Sequence, residues 1–335
     1  MKRRRSVLDL SPIASGSTPH DALMATIDLA VAAESLGYCR YWVAEHHNAA
    51  SVASSAPEIM IGQIAARTKT MRVGAGGIML PNHSPLKVAE LFRVLSALFP
   101  NRIDLGLGRA AGTDPRTGLL LRRGKPLESG DEFASELAEL RRYLGPDPLP
   151  RPRFARSTIA VPAGVTPPAL WLLGSSDYGG RLAASLGLPF AFAAHMNPAD
   201  AAHELTTYRR AFRASDVSPE PQAIVSLAVI CADSDAAARR LASSAELGWI
   251  RFAEGQRDEP MPSVAEALAH EDDEQQAAIR EMFRERLLVG SPSTVRSRID
   301  EIASACEADE VMVMTHVHDP EDRKRSYALL ADALG

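Results

Sequence analysis

The chain has 335 residues, 46% hydrophobic and 24% charged, with a formal net charge of −5. That is the make-up of an ordinary globular protein with a large core, and it offers no broad basic field to nucleic acid or an anionic membrane. Three cysteines, Cys39, Cys231 and Cys306, lie too far apart for C-x-x-C spacing, which argues against a disulfide framework or a thiolate metal site.

In chain order, the basic opening Met1-Lys2-Arg3-Arg4-Arg5 leads into an apolar stretch broken by Asp9 and Pro12, so no export signal is expected. No window reaches the roughly 18 apolar residues of a membrane helix, and the protein is expected in the cytoplasm. Ser6 to Leu10 reads as a strand, followed by an apolar helical face from Thr18 or His20 to Leu36, ended by Gly37. The same alternation continues with strand Tyr41–Ala44, helix Ser54–Thr68, strand Met71–Leu80, helix Pro85–Phe99 and strand Ile103–Leu107. A helix over Leu127–Leu144 precedes Gly145–Pro168, whose seven prolines are too many for regular structure; this is read as an insertion. Strand Ala169–Leu173, helix Gly179–Leu186, strand Phe190–Ala193, helix Pro198–Ala214 and strand Ala223–Cys231 follow. Helices Asp235–Ile250 and Glu274–Leu287 flank a polar segment, Glu254–Asp273. Helix Pro292–Ala305, strand Glu310–Met314 and helix Asp319–Leu334 close the chain. Eight strands alternating with helices predict an α/β fold, a (β/α)8 or TIM barrel with insertions, as a single domain over residues 1–335.

Barrels carry function just past the C-terminal ends of their strands. Four such places stand out. After the second strand comes Glu45-His46-His47-Asn48, where adjacent histidines on an extended chain face opposite ways, so at most one faces the mouth. A hydrolytic metal site is not expected: one strand would offer its ligands at His-x-His spacing, and no second His/Asp cluster is evident. Gly74-Ala75-Gly76-Gly77 in the third strand marks either a close approach to a flat ligand or close packing against a helix. Gly106-Leu107-Gly108-Arg109 through Asp114 is spaced G-x-G-x-x-x-G, a weak dinucleotide match; Arg109 is suited either to an anionic group or to an ion pair with Asp114. Gly174-Ser175-Ser176-Asp177-Tyr178-Gly179 runs into a helix start, which suits a phosphate or an ordinary N-cap. None of Lys2, Lys69, Lys87, Lys125 and Lys324 sits at a strand's C-terminal end, which removes Schiff-base chemistry. The residues point to a phosphorylated cofactor that performs the chemistry itself.

Four segments together resemble the bacterial luciferase-like flavin-dependent monooxygenases: Trp42-Val43-Ala44-Glu45-His46-His47-Asn48, Val73 to His83, Arg102 to Arg109, and Leu288-Val289-Gly290-Ser291-Pro292. That resemblance implies a two-component monooxygenase. Reduced FMN from a separate flavin reductase, O2 and a small organic substrate would meet at the barrel mouth, with an aromatic polyketide or other secondary metabolite as one substrate class. It implies His46 as the catalytic histidine and Gly76-Gly77 as a cis peptide under the flavin. Ala75, Gly108, Arg109, Ser175, Ser176, Tyr178 and Gly179 would be the remaining cofactor contacts. It further implies a homodimer, and the segment within about 251–287 is either the family's mobile lid or a solvated insertion. Ser175 and Gly108 depart from luciferase itself, so light emission is not implied. Two alternatives remain at this stage: hydride transfer with the deazaflavin F420, and a flavin-binding barrel without catalysis.

Overall fold

The computed structural model describes residues 3–126, 130–145 and 158–335. Leu127–Ser129, where a helix start was expected, and residues 146–157 of the proline-rich insertion lie outside the described residues.

The described residues form nine strands, all parallel: β1 (Arg4–Asp9), β2 (Arg40–Val43), β3 (Arg72–Met79), β4 (Ile103–Gly108), β5 (Ala169–Gly174), β6 (Phe190–Phe192), β7 (Ala223–Cys231), β8 (Leu287–Gly290) and β9 (Glu310–Met314). Eight close into a barrel in the order β1-β2-β3-β4-β5-β6-β7-β9, with β9 pairing back onto β1. β8 is the extra one. β6 covers only Ala223–Val225 of the long β7, and β8 pairs with Ala228–Cys231 farther up. The sequence reading had run a helix through Leu287; the apolar run Leu-Leu-Val-Gly is too short for periodicity to separate a helix end from a strand.

Among the described residues twelve helices accompany the strands: α1 (Pro19–Ser35), α2 (Pro57–Arg67), α3 (Pro85–Leu98), α4 (Pro115–Leu121), α5 (Gly130–Leu144), α6 (Asp177–Leu186), α7 (Ala201–Ala211), α8 (Asp235–Ala253), α9 (Val264–Ala269), α10 (Glu274–Arg284), α11 (Pro292–Ala305) and α12 (Pro320–Leu334). Proline in the first turn starts α1, α2, α3, α4, α11 and α12, where its missing N–H removes no helical bond. Thr18 and Asp21 add a reciprocal capping box to α1. Gly187, at φ 64°, ends α6 in the left-handed conformation. The short α4 and α9 escaped the sequence reading: each is under two turns, capped by Asp114 and Ser263.

Strand alternation divides the core into two shells. Val7, Val43, Val73, Leu105, Leu172, Val225 and Val313 face outward and pack with Ile61, Ile64, Phe92, Tyr208 and Tyr327 of the surrounding helices. Each such fully buried apolar side chain contributes about 1.5–3 kcal/mol. Leu8, Trp42, Trp171, Ala191, Ile224 and Met312 face inward and fill the barrel, with the two indoles edge to face at 5.6 Å. Below them the lumen is charged. Arg40 donates to Asp104 and, at 2.9 Å, to Glu310, and its guanidinium lies 4.7 Å from the Trp171 ring. Arg72 donates to the other oxygen of Asp104 at 2.7 Å. The bottom of the barrel is thus closed by paired charges, which leaves the C-terminal end for a site.

Candidate functional site

The inward files of the strands, followed upward by twos, lead to the site. On β2 the file runs Trp42, Ala44, His46; past β6 it runs Ala191, Ala193, His195; past β9 it runs Met312, Met314, His316. Three histidines therefore converge on the barrel mouth from one rule of strand geometry. All are half-buried and held below the ordinary imidazole range. Burial is the main cause for each: it lowers His46 against the pull of Glu45, and takes His195 and His316 to about 4, with Arg323 lowering His316 further. His195 is lowered further by His46, and His316 by both His195 and His46. His195 sits against the Ser226 carbonyl, whereas Nδ1 of His46 and Nε2 of His316 are buried without any hydrogen-bond partner. His195 and His316 were not singled out from sequence. Counting inward-facing positions past each strand would have found them. The described residues hold no group of His, Cys, Asp and Glu that could bind a metal.

As the alternation requires, Glu45 and His47 point away from His46. Glu45 is buried and accepts from His47 Nε2, His83 Nε2 and the Met79 backbone N–H, each at 2.9 Å. Burial alone would raise its pKa, but these bonds overcome that and bring it to about 2. His47 also receives, at its carbonyl, the Thr113 hydroxyl at 2.9 Å. Asn48 donates to Asp114 at 2.9 Å, so the chain past β2 is stapled over β3 to the chain past β4. Asp114 is occupied by this contact and by capping α4, and it pairs with Arg257 at 3.5 Å. The Arg109–Asp114 ion pair considered from sequence does not form.

β3 and β4 carry glycine on their inward faces. The Gly76–Gly77 peptide is cis, and the β3–β4 register shifts there, between Ala75 and Ile78. A Cβ on Gly76 would come within 3.0 Å of Trp42, and one on Gly77 within 2.8 Å of the Gly106 carbonyl. These positions pack against the neighbouring strands β2 and β4, not against the helix behind, and leave bare backbone on the inward face. Ala75 turns its methyl into the outer core, so it has only its backbone to offer a ligand. Gly108 ends β4 against Met79.

Arg109 follows, exposed, with its guanidinium 4.3 Å from the centre of the Tyr178 ring, a cation–π contact. Tyr178 also meets Phe133 edge to face. The Ser175 carbonyl accepts from Asn197 at 3.0 Å, which steadies the turn. Ser176 is the N-cap of α6, which begins two residues before the expected Gly179, yet its side chain makes no capping bond. The first-turn N–H groups therefore have no side-chain partner from the cap. Gly179 packs beside Gly174 and Phe190 in that first turn. Arg109, Tyr178 and Ser176 thus come together on β4 and β5.

Across the mouth a cavity of about 210 Å3 lies between His46, His316, Leu10 and Val52 below and Trp249, Phe252 and Phe283 above. Of the candidate site residues only His46 lines it. Its roof is α8 and α10, and the connecting chain is tied down: Met261 bonds to Ile13 and Ser15 through the backbone, Ala50 donates to the Arg257 carbonyl, and the Ser244 hydroxyl donates to Pro262. A larger cleft of about 490 Å3 sits at the opposite end of the barrel, among Arg3, Arg5, Arg296 and Asp300, away from every strand end that carries the histidines.

The luciferase-like monooxygenase family profile matches residues 4–306. A luciferase-like monooxygenase of Escherichia coli (strain K12) is 40% identical over 98% of this chain and 96% of its own length. The crystal structure of apo-MsnO8 superposes with a TM-score of 0.89 at 40% identity, covering 99% of this chain and 98% of that one. The oxygenating constituent of 3,6-diketocamphane monooxygenase from Pseudomonas putida, a type II Baeyer-Villiger monooxygenase in complex with FMN, shares the fold at a TM-score of 0.70 and 21% identity, over 100% and 98% of the two chains. No described helix is long and apolar enough to cross a membrane. From its first strand to its last helices, this chain belongs to the luciferase-like monooxygenase family.

Proposed function

We propose that the protein uses reduced FMN, delivered by a separate flavin reductase, and O2 to oxygenate a small organic substrate at the barrel mouth. The observation that carries this reading is the grouping on three neighbouring strands. β3 and β4 present backbone without side chains, β4 ends in the exposed Arg109, and β5 leads to the open N-terminus of α6 at Ser176. These suit a flat ring, a phosphate charge and phosphate oxygens respectively. That a protein of the same fold is in complex with FMN adds support.

When bound, the reduced flavin supplies two electrons to O2, so that one oxygen atom enters the substrate and the other leaves as water. The chain's residues do the rest. Arg109, steadied on Tyr178, and the first-turn N–H groups of α6 hold the phosphate. Gly76, Gly77 and Gly108 give the ring backbone to lie against. His46, neutral because burial lowers its pKa, stands between the cofactor side and the cavity, where it holds or moves a proton at Nδ1. The segment within 251–287 covers the cavity and keeps water out. A homodimer belongs to the same reading, with exposed Ile59 on α2 and Val94 and Leu98 on α3 as its apolar face.

The test is a parallel anaerobic titration with reduced FMN and reduced F420, followed by admission of oxygen. The expected outcome is saturable binding of reduced FMN and oxygen uptake that depends on a reductase. Tight F420 binding with no oxygen consumption would overturn the reading.

A further inference from the structure

Nine buried side-chain nitrogen and oxygen atoms lack a hydrogen-bond partner among the described residues, and three of them belong to residues lining the 210 Å3 cavity: His46 Nδ1, His316 Nε2 and Trp249 Nε1. Leaving such a group unpaired is unfavourable, so three at one cavity are a ligand's imprint rather than scattered defects. An indole N–H only donates; its missing partner is an acceptor, an oxygen of the ligand.

The cavity's walls set the rest of the ligand. Trp249 stacks on Phe283 at 5.1 Å and 17° and on Phe252 at 5.7 Å and 29°. Such a wall favours another ring in offset contact over a flexible alkyl chain. The cations at the rim are neutralised: Arg251 pairs with Glu266 at 2.6 Å and Arg257 with Asp114 at 3.5 Å. Glu259 adds a negative charge to the lining. His316 is uncharged at neutral pH, with a pKa of about 4. Neither arginine of the lining is left unpaired for an anionic ligand; Arg286, 5.7 Å from the centre of the Trp249 ring, is not among the lining residues.

We infer that the substrate is a neutral aromatic molecule carrying a hydrogen-bond-accepting oxygen, and that Trp249 and His316 are the residues that select it. The inference rests on the proposed oxygenase reading only in calling the ligand a substrate; the ligand's chemistry stands on the cavity. Specificity arises because an analogue without the oxygen leaves Trp249 Nε1 and the imidazoles unpaired.

Isothermal titration calorimetry on the full chain without flavin, at pH 7.5, tests this with four probes: 2-acetonaphthone, naphthalene, 2-decanone and 1-octanesulfonate. The expected result is that 2-acetonaphthone binds at least about tenfold more tightly than the other three, the worth of one buried hydrogen bond. Trp249→Phe and His316→Phe should each bring its affinity down about tenfold toward that of naphthalene, while naphthalene binding stays unchanged. General loss of packing would weaken both probes alike, so parallel losses would overturn the inference, as would equal or tighter binding of the sulfonate or the alkyl ketone. Should one variant fail to melt cooperatively, the other carries the comparison. Because no flavin is present, a failure of the reduced-FMN titration and a failure here are separate results.

Discussion

Glu45 and His83 meet at 2.9 Å, joining the residue just past β2 to the turn just past β3 directly beside the Gly76–Gly77 segment. Glu45 is the anchor on which that side of the mouth is built. Its folded pKa of about 2 lies below the unfolded value near 4.5, so its contribution is complete above pH 4.5 and is lost as pH falls toward 2. The size is on the order of 3 kcal/mol. Glu45→Gln should flatten the wild-type fall in urea-unfolding free energy over that window and lower stability at pH 7. An unchanged acid slope would show that another carboxylate dominates.

Substitution of His46 tests the proton role. His46→Ala should reduce oxygenation by about 10²–10⁴-fold while leaving reduced-FMN affinity within about twofold and the melting temperature near that of the wild type. Because burial depresses its pKa, the acidic limb of the rate should lie below pH 6.5. A limb above that value, or full activity in the alanine variant, would remove His46 from the chemistry.

Arg109 offers a cleaner test of cofactor orientation. Arg109→Ala should weaken reduced FMN by about tenfold, the scale of a charge-assisted phosphate contact, and leave reduced riboflavin, which lacks the phosphate, unaffected. Equal losses for both would mean that Arg109 acts through Tyr178 and the turn rather than on phosphate.

The other two histidines govern acid stability in a different window from Glu45. His195 and His316, with pKa values of about 4 against 6.5 unfolded, bind fewer protons folded than unfolded between those values, so the native state loses stability as pH drops from 6.5 to 4. His316→Asn should make that slope shallower in pH-dependent denaturation, whatever its effect on activity.

At the closed end of the barrel, Arg40 balances two buried carboxylates, Asp104 and Glu310. Arg40→Met leaves both without their central cation, and unfolding in urea should show a loss of about 3 kcal/mol. Little change would mean that Arg72 and Arg4 suffice.

Much of the fold was legible because β-strands and helices alternate with different hydrophobic periods: each barrel strand was placed within a few residues, from Ser6–Leu10 to Glu310–Met314. The site was half legible. Glycine, arginine and hydroxyl residues beside strand ends announced the β3, β4 and β5 side, and the His46/His47 alternation resolved as the strand pleat demands. The opposite side was not, because His195 and His316 lie in unremarkable contexts and become partners only when the barrel closes. Trp249 was hidden for a second reason: an indole on an amphipathic helix looks like core until the helix is seen to roof a cavity. α4 and α9 were missed because a helix of six or seven residues is set by its cap, not by a repeating face.

The ladder between β7 and β8 fixes where the roof returns to the wall, and α8 fixes where it departs. α8 arrives at Ala253 from the barrel wall and the chain returns at Leu287 into that same wall, so whatever lies between must bridge one unchanging gap. Residues 254–286 fill that gap while bonded to the loops past β1 and β2 and, through Arg280 and Arg284, to Glu246 of α8, so a different sequence spliced there would have to replace those bonds as well as span the distance.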